Sequence, residues 1–176
     1  MKNIITLGTL LLFTILLSCS ERNATSEKTN SENTTIIYMI RHAEKDRSDS
    51  DNRDPELTEE GKLRAQKWKD VFEHIALDKV FSTEYKRTQA TASPTAMAKG
   101  LDIKKIDPSN WSKENFLEEN KGLNVLVVGH SNTTPEMVNQ LIGNSNFPEI
   151  PDHDNSRLYI VTILDGKSAV TVLSID

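Results

Sequence analysis

The sequence predicts an α/β fold: a three-layer sandwich with a mostly parallel central sheet and helices on both faces. From residue 36 onward, short apolar runs alternate with segments of helical length and periodicity. The apolar runs are of the kind found in strands that are covered on both faces. A chain of 176 residues suits one domain, which we place at residues 36–176.

Strand and helix signals alternate in order through the first half of this domain. Thr58 is the predicted N-cap of a helix with Glu59 and Glu60 in its first turn, and Gly100 is the predicted C-cap of the next helix. The predicted elements are a strand at residues 36–40, a polar loop at 46–55, a helix from Thr58, a strand at 79–81 and a helix at 84–99.

The second half continues the same alternation and closes with two strands. The pair Asp165-Gly166 between two apolar runs predicts a hairpin turn. The predicted elements are strands at residues 103–106 and 123–128, helices at 112–120 and 134–141, and a hairpin of residues 158–164 and 169–175.

The first nineteen residues carry a targeting signal. A lysine precedes an uncharged run rich in Leu and Ile, and this run is shorter than the ~20 residues that a membrane span needs. The segment Leu16-Leu17-Ser18-Cys19 resembles the lipobox of bacterial lipoproteins. The resemblance implies a signal peptide at residues 1–18, a lipid on Cys19 and a location at a membrane of the bacterial cell envelope. The alternative is an idle thiol beside a signal peptide or an N-terminal anchor helix.

Residues 19–35 form the predicted flexible tether, because they contain almost nothing apolar. The chain has a net charge of −5, which argues against nucleic acid or an anionic lipid surface as its main partner. Cys19 is the only cysteine, so no internal disulfide is expected. An anionic ligand would therefore need a local cluster of cations.

Such a cluster is predicted at the carboxyl ends of the strands. Arg41-His42 and His130 directly follow apolar strands, and Arg87 lies in the first turn of the helix after another strand. Ligand sites of parallel α/β sheets form at this edge. Arginine binds phosphate in a bidentate manner and a neutral imidazole is a competent nucleophile. These residues therefore suit phosphoryl transfer from a small phosphorylated substrate through an enzyme-bound intermediate.

No metal or other cofactor is expected at this site. The remaining histidines, His74 and His153, lack the paired spacing of zinc ligands. The polar loop at residues 46–54 lacks the ordered acidic spacing and the closing Glu of a calcium loop. We interpret it as a solvated loop near the crevice.

Four ordered motifs resemble the histidine phosphatase superfamily, which includes phosphoglycerate mutases, acid phosphatases and small SixA-like phosphohistidine phosphatases. Each motif alone is weakly specific, but their order strengthens the match. They are Arg41-His42-Ala43-Glu44, Leu57-Thr58-Glu59-Glu60-Gly61, the segment from Ser82 to Ala92, and Gly129-His130-Ser131-Asn132. The resemblance implies a phosphoglycerate mutase-like fold.

The resemblance also implies residue roles. It makes His42 the phosphorylated nucleophile, Arg41 and Arg87 phosphate ligands, and His130 the second imidazole of the pocket. It further suggests that Asn132 adds a hydrogen bond to phosphate or substrate.

Two features depart from the family pattern. Ala43 stands where the signature usually has glycine, and the usual acid-bearing motif after the third strand is not recognisable. Asp107, after the third predicted strand, and Glu136, in the helix after His130, are therefore the candidate proton donors. An ordinary turn at Asp107 and an ordinary first-turn acid at Glu136 are the competing interpretations.

The predicted function is a phosphohydrolase that acts on phosphomonoesters or related phosphoryl compounds through a phosphohistidine on His42. One alternative is a phosphomutase of the same family. Another is a non-catalytic lipoprotein that binds anions in an inherited pocket. The short chain and the export signal favour hydrolysis over mutase activity, and the intact set of four residues argues against a decayed enzyme.

Overall fold

The computed structural model describes residues 33–176. The predicted signal peptide, Cys19 and most of the predicted tether lie outside this range. The strands are β1 (Thr35–Arg41), β2 (Lys79–Ser82), β3 (Ile103–Lys105), β4 (Asn124–Gly129), β5 (Arg157–Leu164) and β6 (Lys167–Ser174). The α-helices are α1 (Glu59–Val71), α2 (Lys86–Lys99), α3 (Lys113–Glu119) and α4 (Thr133–Ile142), and a short 3₁₀ helix spans Pro108–Asn110.

The six strands form one mixed sheet in the order β3-β2-β4-β1-β5-β6. The first four of these are mutually parallel, β5 pairs antiparallel with β1, and β6 pairs antiparallel with β5. The predicted α/β class and mostly parallel sheet are therefore confirmed. The boundaries differ from the predicted ones by one or two residues, and β1 begins at Thr35, one residue inside the predicted tether.

Both faces of the sheet are buried, which explains why the central strands are apolar throughout. Ile37 and Met39 of β1 pack in one core cluster with Phe116 of α3 and Leu141 of α4. On the opposite face, alternate residues of the same strand join a second cluster that contains Trp68 and Phe72 of the α1 segment and Ala92 and Ala96 of α2. This arrangement is the predicted three-layer sandwich.

The register of β1 against β4 sets the position of the site. Arg41 pairs with Gly129 at the last rung of the parallel ladder, so the next residue of each chain segment leaves the sheet at the same level. The backbone N–H of His42 extends the ladder by donating to the carbonyl of Gly129 at 2.9 Å. His42 and His130 therefore emerge side by side.

Helix α1 begins where the sequence predicts. The hydroxyl of Thr58 accepts a hydrogen bond from the N–H of Gly61 at 3.0 Å, which caps the helix. Gly61 packs against the backbone of Glu44, and a Cβ at this position would collide with the Glu44 carbonyl oxygen. The absence of a side chain at Gly61 thus lets α1 approach the segment that follows His42.

Helix α2 begins at Lys86 and ends at Gly100, whose φ of 65° is the left-handed conformation that glycine adopts without strain. The predicted closing hairpin is present, and its turn places Asp165 and Gly166 at φ of 50° and 75°. No helix of the described residues is long and apolar enough to cross a membrane.

Candidate active site

A crevice of about 700 Å³ opens at the carboxyl ends of the parallel strands. The five residues that the sequence predicts for the phosphate pocket all line it: Arg41, His42, Arg87, His130 and Asn132. Arg41 ends β1, and the other four follow a strand or lie at the start of the helix after one. The topology therefore brings together residues that are up to 91 positions apart in the sequence.

The two histidines form the floor of this crevice. Their ring centroids are 5.5 Å apart and the ring planes are inclined by 68°. His42 is almost fully buried, with 3% of its surface exposed. Two imidazoles at this distance can contact the same tetrahedral group.

The backbone fixes the tautomer of His42. Its Nδ1 lies 2.7 Å from the carbonyl oxygen of Ala43, and since a carbonyl can only accept, Nδ1 carries the hydrogen. Nε2 is then left with a free lone pair. Ala43 is itself held, because its N–H donates to the hydroxyl of Thr91 on α2 at 2.9 Å. Thr91 in turn donates to the carbonyl of Arg87 and so couples the two halves of the site.

The guanidinium of Arg41 is anchored by the segment that precedes β5. Its Nη1 lies within 3.2 Å of the carbonyl oxygens of Pro151, Asp152 and Asp154, and its Nη2 donates to the Asp152 carboxylate at 2.7 Å. Arg47 contacts the same carboxylate at 2.7 Å. Arg41 is 2% exposed, yet its Nε has no hydrogen-bond partner among the described residues.

Arg87 is held from the opposite side of the crevice. Its guanidinium lies 4.3 Å from the ring centroid of Tyr85, within the range of a cation–π interaction. Its Nη1 donates to the carbonyl of Arg53 at 3.3 Å, and the Asp54 carboxylate lies 3.5 Å away. The Nε of Arg87 is also buried without a partner in the described part of the chain.

His130 is held by contacts that leave one ring nitrogen free. Its Nε2 lies 2.9 Å from the hydroxyl of Thr83, and the ring of Tyr85 packs edge-on against it at 4.9 Å. No described residue hydrogen-bonds to its Nδ1. Both imidazoles of the crevice thus contact the protein through one nitrogen and offer the other to a ligand.

Burial and positive charge keep both imidazoles neutral. Burial is the main cause that lowers the pKa of His42 to about 3, and the charges of Arg41 and Arg87 add to it against the opposing hydrogen bond to Ala43. Burial followed by the charges of Arg87 and Arg41 lowers the pKa of His130 to about 4. At neutral pH the cations of the crevice are therefore its arginines and lysines.

Lys45 is a cation of the crevice that the sequence analysis did not identify. It is half-buried, and its backbone is fixed by a bridge between Lys45 and Leu57. Burial and the neighbouring Arg87 and Arg47 lower the pKa of its ammonium group. Like the arginines, this group gains from an anionic ligand.

The structure separates the two candidate proton donors. Asp107 lines the crevice but is exposed and caps the 3₁₀ helix, where hydrogen bonds from Ser109 hold its pKa below the ordinary value. Glu136 does not line this crevice; it lies in a neighbouring hollow with Pro135 and Phe147. Asn132 borders both cavities.

Sequence reasoning missed much of the support for the site. Thr83, Tyr85 and Thr91 lie inside a motif that was recognised, but only its arginine was given a role. Asp152 and Asn155 have no sequence signal, although the amide of Asn155 donates to the carbonyl of His42 at 2.7 Å. Only the tertiary contact between the segment before β5 and the end of β1 gives these residues their function.

No group of three or more metal-binding side chains occurs within residues 33–176. The family model described as histidine phosphatase superfamily, branch 1, matches residues 37–108, which span β1, α1, β2, α2 and β3. The chain is similar to this superfamily over these elements. No curated protein sequence matches it significantly.

Solved structures of several phosphatases share the fold. A protein assigned as the phosphohistidine phosphatase SixA of Agrobacterium tumefaciens is 24% identical, with a TM-score of 0.59, and the match covers 81% of this chain and 99% of that one. The mycobacterial glucosyl-3-phosphoglycerate phosphatase is 14% identical, with a TM-score of 0.66, over 81% and 100% of the two chains. A phosphoserine phosphatase mutant of Entamoeba histolytica is 14% identical, with a TM-score of 0.62, over 78% and 95%.

The lowered pKa of His42 predicts that folding stability falls in mild acid. The unfolded imidazole binds a proton below its ordinary pKa of 6.5, whereas the folded imidazole stays neutral to about pH 3. Between pH 7 and pH 5 this difference lowers the free energy of unfolding by about 2 kcal/mol. Urea unfolding of the wild type and of His42→Gln at both pH values measures it. The variant should lose less stability than the wild type, and equal losses would contradict a buried neutral His42.

Proposed function

We propose that this protein is a histidine phosphatase, a metal-independent phosphohydrolase that acts on phosphomonoesters or related phosphoryl compounds through a phosphohistidine on His42. The observation that carries the proposal is that one crevice is lined by two arginines with unsatisfied N–H groups and by a histidine with a free ring nitrogen. The Nε atoms of Arg41 and Arg87 are buried without a partner among residues 33–176, and Nε2 of His42 has a free lone pair. This set matches a phosphoryl group: two guanidinium donors for its oxygens and a nucleophile for its phosphorus.

An anionic ligand is favoured for an energetic reason. A buried N–H of a charged group without a hydrogen-bond acceptor costs free energy, and an incoming phosphate oxygen removes that cost. Arg41 is held by the segment before β5 and Arg87 by Tyr85, so neither needs to reorganise when the ligand binds. The crevice is therefore preorganised for negative charge.

In the first chemical step, Nε2 of His42 attacks the phosphorus. The N–P bond forms as the bond from phosphorus to the leaving group breaks, and the leaving group departs with the bonding electron pair. Because Nδ1 keeps its hydrogen, the phosphorylated ring carries a positive charge, which the carbonyl oxygen of Ala43 stabilises. His130 and the two arginines contact the oxygens on which negative charge is spread.

In the second step, water attacks the phosphorus of the phosphohistidine. The N–P bond breaks, its electron pair returns to Nε2, and inorganic phosphate is released. The positive charge of the phosphorylated ring makes neutral imidazole the leaving group, so this step needs no proton donor. Hydrolysis fits the crevice because exposed residues such as Tyr85 and Asp107 line its mouth and leave it open to water.

The carboxyl groups of the crevice favour substrates with a good leaving group. Three acids of the described chain line it, and each is already engaged: Glu84 pairs with Lys105, Asp107 accepts from Ser109, and Asp152 binds Arg41 and Arg47. Ionised carboxylates do not donate a proton to an alkoxide. Aryl phosphates and phosphoramidates, whose leaving groups depend less on a protein acid, are therefore the best probes.

Replacement of His42 by alanine should abolish hydrolysis of an aryl phosphate, lowering kcat/KM by at least about 10³-fold because the nucleophile is lost. Activity of the wild type should persist in the presence of a chelator, since fixed side chains supply the positive charge. Release of the aryl alcohol and of phosphate measures both effects.

His74→Ala is the matched control, because the side chain of His74 is 93% exposed and lies outside the crevice. Its activity should equal that of the wild type. Full activity of His42→Ala would overturn the assignment of the nucleophile. Loss on chelation that added metal restores would overturn metal independence.

We also propose that the mature protein is a lipoprotein of the bacterial cell envelope, anchored through Cys19. The support is the lipobox-like Leu16-Leu17-Ser18-Cys19 at the end of an apolar leader, followed by a polar segment. A lipid on this cysteine would tether the phosphatase domain, whose first strand begins at Thr35, to a membrane surface.

The full chain, expressed in bacteria with a labelled fatty acid, should incorporate the label and partition with membranes. Cys19→Ser should remain unprocessed and unlabelled, while Ser20→Ala, which keeps the cysteine, should behave like the wild type. A freely soluble mature protein that begins at another residue would exclude the anchor. The phosphatase activity of each form provides the check that the domain is folded.

A further inference from the structure

Thr83 lies between helix α2 and His130, the second histidine of the crevice. It directly follows β2, is 4% exposed, and its hydroxyl oxygen lies 2.9 Å from Nε2 of His130. The same oxygen lies 2.9 Å from the hydroxyl oxygen of Thr88 on α2. A buried chain of three polar groups thus runs from the helix to the imidazole.

The direction of this chain follows from its far end. The hydroxyl of Thr88 lies 2.9 Å from the carbonyl oxygen of Thr83 and 2.8 Å from that of Tyr85, and carbonyls only accept. With the single hydrogen of Thr88 used there, Thr83 donates to Thr88. The hydroxyl oxygen of Thr83 then accepts from His130, so Nε2 of His130 carries a hydrogen.

This arrangement leaves Nδ1 as the ring nitrogen that a ligand can contact, since no described residue hydrogen-bonds to it. In the empty crevice Nδ1 of the neutral ring offers only a lone pair, which repels phosphate oxygens. When a dianionic phosphoryl group binds, the ring gains from taking up a proton at Nδ1. The charged ring then donates from both nitrogens, to phosphate and to Thr83.

We propose that Thr83 is a positioning residue that holds Nε2 of His130 and thereby presents Nδ1–H to the transferring phosphoryl group. The proposal rests on the proposed phosphoryl transfer and adds a residue to it. Thr83 acts on the phosphoryl group through the imidazole of His130. Its effect is to select the nitrogen that faces the substrate and to stabilise the imidazolium form by accepting a hydrogen bond from it.

The groups around His130 determine the sign of the pH effect. Arg87, Arg41 and Lys45 oppose its protonation and Asp54 favours it, while the rings of His42 and Tyr85 pack against it. In the substrate complex the bound phosphoryl group offsets the three cations. Loss of the acceptor at position 83 then destabilises the charged ring more than the neutral ring, because the neutral ring can move its single hydrogen to Nδ1. The ring should therefore lose its proton at a lower pH.

The kinetic test compares Thr83→Val with Thr83→Ser on an aryl phosphate. Valine keeps the shape but removes the acceptor, which should lower kcat by roughly 10- to 100-fold, the range for a hydrogen bond to a charged group. The alkaline limb of the pH profile of kcat should also move to lower pH. Serine keeps the hydroxyl, so Thr83→Ser should have the kcat of the wild type and the same alkaline limb of the pH profile.

Thr95→Val is the matched control, because Thr95 is a buried threonine of α2 whose hydroxyl has no partner among the described residues. It should leave the rate and the pH profile unchanged. A Thr83→Val enzyme with the rate and the alkaline limb of the wild type would overturn the proposal.

A measurement without substrate separates this proposal from the proposed function. Long-range ¹H–¹⁵N correlations of the wild type at pH 7 should show His130 with its hydrogen on Nε2, and Thr83→Val should change this tautomer distribution. A wild-type ring with its hydrogen on Nδ1 would refute the role of Thr83 even if the enzyme hydrolyses phosphates. The expected tautomer in a protein without phosphatase activity would support the hydrogen-bonded chain while rejecting the catalysis.

Discussion

The parallel pairing of β1 with β4 is the constraint on which the site depends. Its last rung joins Arg41 to Gly129, and the hydrogen bond from the N–H of His42 to Gly129 continues it beyond the strands. A shift by one residue would turn one histidine to the other face of the sheet. Because both strands pack on both faces, such a shift would also exchange the side chains of the two core clusters and disrupt their packing, so the energetics of the core maintain the geometry of the site.

The second constraint concerns the two arginines of the crevice. The fold holds their guanidinium groups in place but neutralises their positive charge only in part. Arg41 is held by carbonyl oxygens and by one carboxylate, and this Asp152 is shared with Arg47 and is itself 70% exposed. Arg87 is held largely by the face of Tyr85 and by a long contact to Asp54. These contacts orient the guanidinium groups but leave their Nε atoms without a hydrogen-bond acceptor among the described residues. The same contacts therefore position the arginines and leave N–H groups that an anion can satisfy.

The sequence predicted the elements well because each has a local cause. Thr58 caps α1, Gly100 ends α2 in the left-handed region, and the apolar run of β4 admits only a doubly covered strand. The principal side chains of the crevice were predicted for a related reason: they follow strands directly, and the topology of a parallel sheet fixes which edge they reach.

The support around the site could not be predicted in the same way. Asp152 and Asn155 precede β5 in a segment whose residues indicate only turns. They act because β5 pairs antiparallel with β1 and brings this segment to the end of β1. Lys45 follows the signature motif, but its sequence position does not show that its side chain lines the crevice. Glu136 is the opposite case. It lies close in sequence to the motif of His130, yet its side chain lines a neighbouring hollow and not the crevice.

The most direct test of the central claim is to trap the phosphoenzyme. The protein is mixed with a ³²P-labelled aryl phosphate or phosphoramidate, quenched with alkali within the first turnover, and analysed by peptide mass spectrometry. We expect a label on His42 that is stable to alkali and lost in acid. This label should appear and decay at rates compatible with turnover. Hydrolysis that proceeds without any label on His42, or with the label on another residue, would contradict it.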